Sequence, residues 1–175
     1  MENRKILKVI LFVAISVLFR LIPHPPNFAP VGAMALFSGA YISGPLAFIF
    51  PLSIMFLSDI FLGLHITIPF VYGSFLVTVF VGRFLKNRKN AGRLIIAATS
   101  TSIVFFLITN FGVWLKSGMY TKDANGLLTA YLMGLPFFRN TLLSDFFYSF
   151  SFFYGFSFVE KFLNNLRYNH TNSTN

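Results

Sequence analysis

Long stretches of this sequence contain no charged residue at all. The clearest is residues 94–115, an unbroken run of uncharged and mostly apolar side chains. A helix over such a run rises about 33 Å, enough to cross a hydrocarbon core about 30 Å thick. Only 11% of the chain is charged, against about 25% in soluble domains. The sequence therefore predicts an integral membrane protein, with one transmembrane domain over residues 1–163.

Six apolar segments are candidates for helical spans. They cover about residues 6–21, 30–42, 46–62, 68–85, 94–115 and 141–163. Pro30 suits the first turn of a helix, and the Ser43-Gly44-Pro45 break separates the second span from the third. We predict an all-α fold, an integral membrane six-helix bundle, followed by a polar and disordered tail over residues 164–175.

The basic residues indicate an orientation, because Lys and Arg concentrate on the cytoplasmic side of membrane proteins. With six spans, ten of the 14 Lys and Arg residues fall on the side of both termini. With five spans, the cluster after the fourth segment would fall on the opposite side from the N-terminus. We therefore expect both termini in the cytoplasm and the protein in the cell inner (cytoplasmic) membrane. The ten inner residues are Arg4, Lys5, Lys8, Arg83, Lys86, Arg88, Lys89, Arg93, Lys161 and Arg167, and the outer ones are Arg20, Lys116, Lys122 and Arg139.

Several functional classes are disfavoured by the sequence. The net charge of +9 lies in short clusters between apolar runs, so we expect no nucleic-acid partner. The chain has no cysteine and no HExxH, GxSxG or GxxxxGK motif. We therefore predict that the protein is not an enzyme and has neither a metal site nor a cofactor.

The segment "RLIPHPPNFAP", residues 20–30, places an arginine, a histidine and an asparagine among four prolines. The 13-residue second span covers only about 20 Å, so part of this segment must lie below the membrane surface. Irregular backbone is tolerated at that depth where protein or a water-filled cavity covers it. We expect the segment to line a cavity, with His24, Asn27 and Phe28 facing inward. An ordinary external turn is the alternative.

Charged and amide side chains at membrane depth need a partner or a function. Asp59 lies near the outer end of the third span, where Arg20 is a candidate partner. Such a pair either ties two spans together, or contributes to ligand recognition, or does both. Asn110 and Trp114 are four residues apart and share a helix face. Trp114 alone is typical of an interfacial anchor.

Residues 116–140 are expected to form an external loop. Its apolar half, residues 127–138, argues against disorder and favours a short helix or re-entrant flap over the bundle. Arg139 follows, as a possible partner for Asp145. The candidate ligand-binding residues of the whole chain are Arg20, His24, Asn27, Phe28, Asp59, His65, Tyr72, Asn110, Trp114, Arg139 and Asn140.

Two families resemble this chain. The run from Arg20 to Gly63 and the later "VYGSFLVTVFVGRFL" resemble the substrate-binding S components of energy-coupling factor (ECF) vitamin transporters. The features that carry the resemblance are Arg20, Pro23, Gly39, Gly44, Asp59, Gly63 and Gly82. The "NF-P" and "TNFGVW" blocks are similar to those of an uncharacterised family of small bacterial multi-span membrane proteins, a likeness that is closer and covers almost the whole length.

The ECF resemblance implies a six-helix subunit that holds a vitamin-like small molecule near the outer face. It also implies a transmembrane coupling protein and cytoplasmic ATPases as partners, besides membrane lipid. S components commonly carry an Ala-xxx-Ala docking surface on the first helix, whereas this chain has Ala14 and Leu18. The leading hypothesis is thus a solute-binding membrane subunit for uptake. The alternatives are a structural or assembly protein without a ligand, and a lipid-modifying membrane enzyme using Asp59, His24 and His65.

Overall fold

A computed structural model describes residues 16–86 and 90–172, without the side chains of residues 160, 163, 164 and 166–172. This part of the chain is all-helical, which confirms the predicted all-α class. Residues 16–21 are helical and form the described part of α1. The other helices are α2 (Val31–Tyr41), α3 (Leu46–Leu62), α4 (Ile68–Arg83), α5 (Ala91–Lys116) and α6 (Ala124–Asn172).

Some of the predictions fall outside the described residues. These are the beginning of the first span at residues 6–15, the last three residues of the tail, and the basic or docking residues Arg4, Lys5, Lys8, Ala14, Arg88 and Lys89.

Proline and glycine set the ends of the short helices. Pro30 and Pro45 immediately precede α2 and α3, where a fixed φ suits the first turn and no N–H is needed. Gly44 and Gly63 adopt positive φ angles of 73° and 98° in the connections that follow α2 and α3. α5 instead begins at Asn90, whose side chain accepts a hydrogen bond from the backbone N–H of Arg93 at 2.9 Å.

The last helix is much longer than the sequence predicts. α6 begins at Ala124 and continues through Pro136 to Asn172, so residues 124–140, expected to form part of an external loop with a short helix or re-entrant flap, instead belong to one continuous helix. Helical backbone also extends through residues 164–172, where a disordered tail is predicted. Asp123 caps the start of α6 by accepting the Gly126 N–H at 2.7 Å. With 49 residues, α6 rises about 74 Å, far more than a bilayer core requires.

α2 lies at the centre of the bundle and contacts α3, α4, α5 and α6. Its approach to α4 is close at two glycines, because a Cβ on Gly39 would overlap the carbonyl of Val79 and a Cβ on Gly82 would overlap the carbonyl of Leu36. Small residues at this crossing let the two backbones meet, as helix interfaces in membranes commonly do.

The bundle buries hydroxyl side chains beside its apolar core and exposes many large apolar side chains. Serines and threonines are buried at the helix contacts, including Ser38, Ser58, Ser74, Thr101 and Ser102, while many large apolar side chains are exposed. Two helical segments, Ala91–Lys116 and Ala124–Val159, are long and apolar enough to cross a membrane, and α2, α3 and α4 are shorter apolar helices. The length and composition of the helices are thus compatible with membrane insertion.

Candidate ligand cavity

A cavity of about 650 Å³ opens between the helices at the end of the bundle where α1 stops. Its wall comes from residues 20–29, from all five helices α2–α6, and from the connections around residues 65–67 and 119–120. The polar and charged lining residues are Arg20, His24, Asn27, His65, Thr67, Thr78, Thr101, Thr109, Asn110, Tyr120, Thr141 and Asp145. A volume of this size is typical of small-molecule sites.

The segment 20–30 forms one side of this cavity, with Arg20, His24 and Asn27 in the lining. α6 holds the segment through two side-chain donors. Asn140 donates to the carbonyl of Pro26 at 2.9 Å, and Ser144 donates to the carbonyl of Ala29 at 2.8 Å. These bonds satisfy carbonyl groups that the proline-rich backbone cannot pair within a helix.

The same segment contains an unusual backbone conformation. Asn27 has φ of 62°, in the left-handed region that asparagine tolerates better than most residues. It lies within a turn in which the N–H of Phe28 donates to the carbonyl of Pro25 at 2.9 Å. The Phe28 ring lies against Tyr148 of α6 with centroids 5.9 Å apart and is not part of the cavity lining.

Arg20, Asp59 and Tyr72 form a hydrogen-bonded triad that joins α1, α3 and α4. Nη2 of Arg20 lies 2.6 Å from Oδ1 of Asp59, and the Tyr72 hydroxyl donates to Oδ2 at 2.9 Å. Nη1 of Arg20 also contacts the sulfur of Met55 at 2.7 Å. The Asp59 side chain is 1% exposed and that of Arg20 is 16% exposed. The predicted pairing of Arg20 with Asp59 is therefore present, and Arg20 also faces the cavity.

Asn110 reaches the cavity from α5. Its side-chain N–H donates to the carbonyl of Phe106 at 2.8 Å, and its amide packs against Gly134 of α6, where a Cβ would overlap it. Gly134 is therefore a contact point between α5 and α6. Trp114, one turn further along α5, has a different role, since its indole N–H donates to the carbonyl of Thr121 at 2.8 Å.

The connection between α5 and α6 is fixed around this indole. Lys122 contacts the Trp114 carbonyl and lies with Nζ 5.4 Å from the ring centroid. Hydrogen bonds from the Gly126 N–H and the Thr121 hydroxyl lower the pKa of Asp123 below its ordinary value. Trp114 thus closes the end of the bundle and is not part of the cavity lining.

Five of the eleven predicted site residues line the cavity: Arg20, His24, Asn27, His65 and Asn110. Asp59 and Tyr72 stand behind Arg20, and Asn140 holds the segment 20–30 from α6. Phe28 and Trp114 are not in the lining. Arg139 is exposed, and the described residues contain no ion pair between it and Asp145. A spacing of six places two residues well apart around a helix.

The sequence prediction omitted the most deeply buried acid of the cavity. Asp145 of α6 lines the wall and is 5% exposed. Its Oδ2 lies 2.6 Å from the hydroxyl of Ser102 on α5, and its Oδ1 faces the backbone of Gly32 on α2. A carboxylate inside an apolar run was the available signal, as it was for Asp59. The tertiary contacts that bring residues 32, 102 and 145 together carry no such signal.

The fold and cavity define an all-helical protein with an apolar exterior and a polar internal site. The chain belongs to the family of unknown function DUF6580, whose model matches residues 1–166. No curated protein and no solved structure matches it.

Proposed function

We propose that this protein is a membrane-embedded subunit that binds a vitamin-like small molecule for uptake, with the 650 Å³ cavity as its binding site. The observation that carries the proposal is a large cavity with a partly polar wall inside a bundle whose exterior is apolar. Small-molecule sites are typically concave, mostly apolar and lined by a few polar groups, and this cavity has the same composition.

The surface of α5 supports embedding in lipid. Ile95, Ile96, Ile103, Leu107 and Phe111 are all exposed, while Thr101 and Ser102 are buried. Buried hydroxyls such as that of Thr101 donate to carbonyls of their own helix, which satisfies them without water. α5 rises about 39 Å, which exceeds the hydrocarbon core. We propose a multi-pass protein of the inner membrane, a six-helix bundle in which α2 is completed by the non-helical segment before it.

The proposed orientation places the cavity mouth outside and both termini in the cytoplasm, on the basis of the Lys and Arg distribution. Because the chain has no cysteine, single-cysteine variants report this directly. Lys116→Cys at the end of α5 should react with a membrane-impermeant maleimide in intact cells. Lys86→Cys should react only after the cells are opened. The reverse pattern would overturn the orientation.

Uptake requires the ligand to leave on the cytoplasmic side of the membrane. The subunit must therefore change between two orientations that differ in their affinity for the ligand. By the resemblance to ECF S components, a transmembrane coupling protein and cytoplasmic ATPases would supply this. Leu18, the described member of the docking pair on α1, is 59% exposed and accessible to such a partner.

A structural or assembly role is the second candidate, and the triad of Arg20, Asp59 and Tyr72 favours it. Asp59 has its charge and both oxygens satisfied by protein groups, so the triad can serve simply to join α1, α3 and α4. In that case the bundle would need no ligand, and variants of the cavity wall would change only its stability.

Native mass spectrometry of the purified protein tests the proposal. We expect a retained small molecule that dissociates on activation, and we expect Asn110→Ala to lose it while keeping its helical content. Asn125→Ala is the matched control, because it removes the same amide from an exposed position outside the cavity lining. If neither the purified wild-type protein nor a preparation from native membranes retained a small molecule, the structural role would be favoured.

A further inference from the structure

The charges around the cavity do not cancel. Its lining contains one arginine and one aspartate, besides two histidines. Arg20 is already paired with Asp59 behind the wall, at 2.6 Å. The lining also contains the carboxyl group of Asp145. Among the described residues, this group has no cationic partner within 4 Å.

Asp145 contacts a hydroxyl group and the N-terminal turn of α2, which favours a negative charge, but no cation among the described residues pairs with it. The Ser102 hydroxyl lies 2.6 Å from Oδ2, but it is also 2.9 Å from the carbonyl of Ala98 and has a single hydrogen to share. No hydrogen bond to Oδ1 comes from the described residues. A buried carboxylate is retained in proteins where it is paired or where it binds something. Its position in a cavity wall favours the second explanation.

The backbone of Gly32 packs closely against Oδ1. A Cβ at position 32 would overlap this oxygen, so a glycine is required for α2 and α6 to meet here with the carboxyl group between them. Both Gly32 and Asp145 are part of the cavity wall, and so are the rings of Phe75, Phe105 and Phe137. The wall thus combines one uncompensated acid with aromatic surfaces.

We infer that the ligand of this cavity carries a protonated nitrogen on a flat aromatic body, and that this nitrogen binds Asp145. The inference rests on the proposed binding function and specifies its ligand class. An ammonium or amidinium group supplies both the missing charge and a donor for Oδ1. The three phenylalanine rings provide the faces on which an aromatic body packs, and they also favour a cation.

Three indoles of nearly equal size test the inference on the detergent-solubilised full chain: tryptamine, which is cationic, tryptophol, which is neutral, and indole-3-propionate, which is anionic. Equilibrium binding and the shift in melting temperature are the readouts. We expect tryptamine to bind wild-type protein about tenfold more tightly than tryptophol, the ratio for one charge-assisted hydrogen bond. Asp145→Asn, which preserves the shape and the bond to Ser102, should remove this preference.

Asp123→Asn is the matched control, since it removes one acid of α6 outside the cavity and asparagine caps helices equally well. It should leave the preference for tryptamine intact. Equal or tighter binding of tryptophol or indole-3-propionate to the wild type overturns the inference, even if Asp145→Asn does not fold. So does a preference that persists in Asp145→Asn, or binding of none of the three. Mass spectrometry of the retained molecule tests the binding function separately. A retained molecule without a basic nitrogen would contradict only the ligand class.

Discussion

Removing the charge of Asp59 should destabilise the bundle more than any other conservative change in the triad. Asp59→Asn preserves the size of the side chain but leaves the guanidinium of Arg20 without a counter-charge. Breaking a buried ion pair costs about 3–5 kcal/mol. We expect about 3 kcal/mol here, because Arg20 remains 16% exposed and retains its contact with Met55.

Tyr72→Phe tests the second bond of the triad. It removes one hydrogen bond to a charged acceptor, and we expect a loss of about 1.5 kcal/mol. Tyr131→Phe is the matched reference, since its hydroxyl donates to the neutral carbonyl of Leu107 at 2.9 Å, and it should cost about 0.5–1 kcal/mol. The double variant of Asp59 and Tyr72 should lose about 1 kcal/mol less than the sum of the single losses.

The assay is equilibrium unfolding in mixed micelles, with the free energy of unfolding extrapolated to the absence of denaturing detergent. The reasoning would be refuted if Asp59→Asn cost less than about 1 kcal/mol, the value of an ordinary neutral hydrogen bond. It would also be refuted if Tyr72→Phe and Tyr131→Phe were equivalent and the double variant were additive. Either result would mean that the triad does not act as a charged unit.

The remaining predictions concern helix packing, the segment 20–30 and the start of α6. Gly39→Ala should cost about 1–3 kcal/mol of stability, because the added Cβ forces α2 away from α4. Gly73→Ala, where the added Cβ meets open space, should stabilise α4 by about 0.5–1 kcal/mol. Equal effects of the two variants in the same unfolding assay would contradict this packing. Asn27→Ala should lower stability by about 1 kcal/mol because alanine is strained at φ of 62°, while Asn27→Gly should be nearly neutral, and a larger loss for glycine would argue against the left-handed conformation. Asp123→Ala should lower the melting temperature and Asp123→Asn should not, because only the first removes the cap. Since folding lowers the pKa of Asp123, its contribution to stability is present above its unfolded pKa and is lost as the pH falls through its folded pKa. If Asp123→Ala and the wild type had the same melting temperature at neutral pH, the cap would be excluded.

Helices α2 to α5 lie within three residues of the predicted segments, because apolar runs there are bounded by proline, glycine or basic residues. The sequence does not predict the start of α6, because this part contains the same residue types that bound the other helices. Gly126, Gly134 and Pro136 are typical of loops, yet Gly126 receives the Asp123 cap and Gly134 packs against Asn110. Proline is tolerated inside helices of this protein, as Pro51 of α3 and Pro136 of α6 both show.

The cavity was only partly accessible to sequence reasoning. The shortness of the second span indicated that residues 20–30 enter the bundle, and a lone acid and a lone base at matching depth indicated the pair of Arg20 with Asp59. For Asp145 the sequence offers only Arg139 as a possible partner, because no local pattern reveals the hydroxyl of Ser102 or the backbone of Gly32 as its neighbours. Contacts between distant residues decide which polar groups share a site.

The central claim is that the cavity is a binding site, and filling it is the most direct test. Thr109 of α5 lines the cavity, whereas Ile103 of the same helix is 43% exposed on the outside of the bundle. Native mass spectrometry should show a retained small molecule on the wild type and on Ile103→Trp, and none on Thr109→Trp with its helical content unchanged. A molecule retained equally by Thr109→Trp, or absent from the wild type, would contradict the claim.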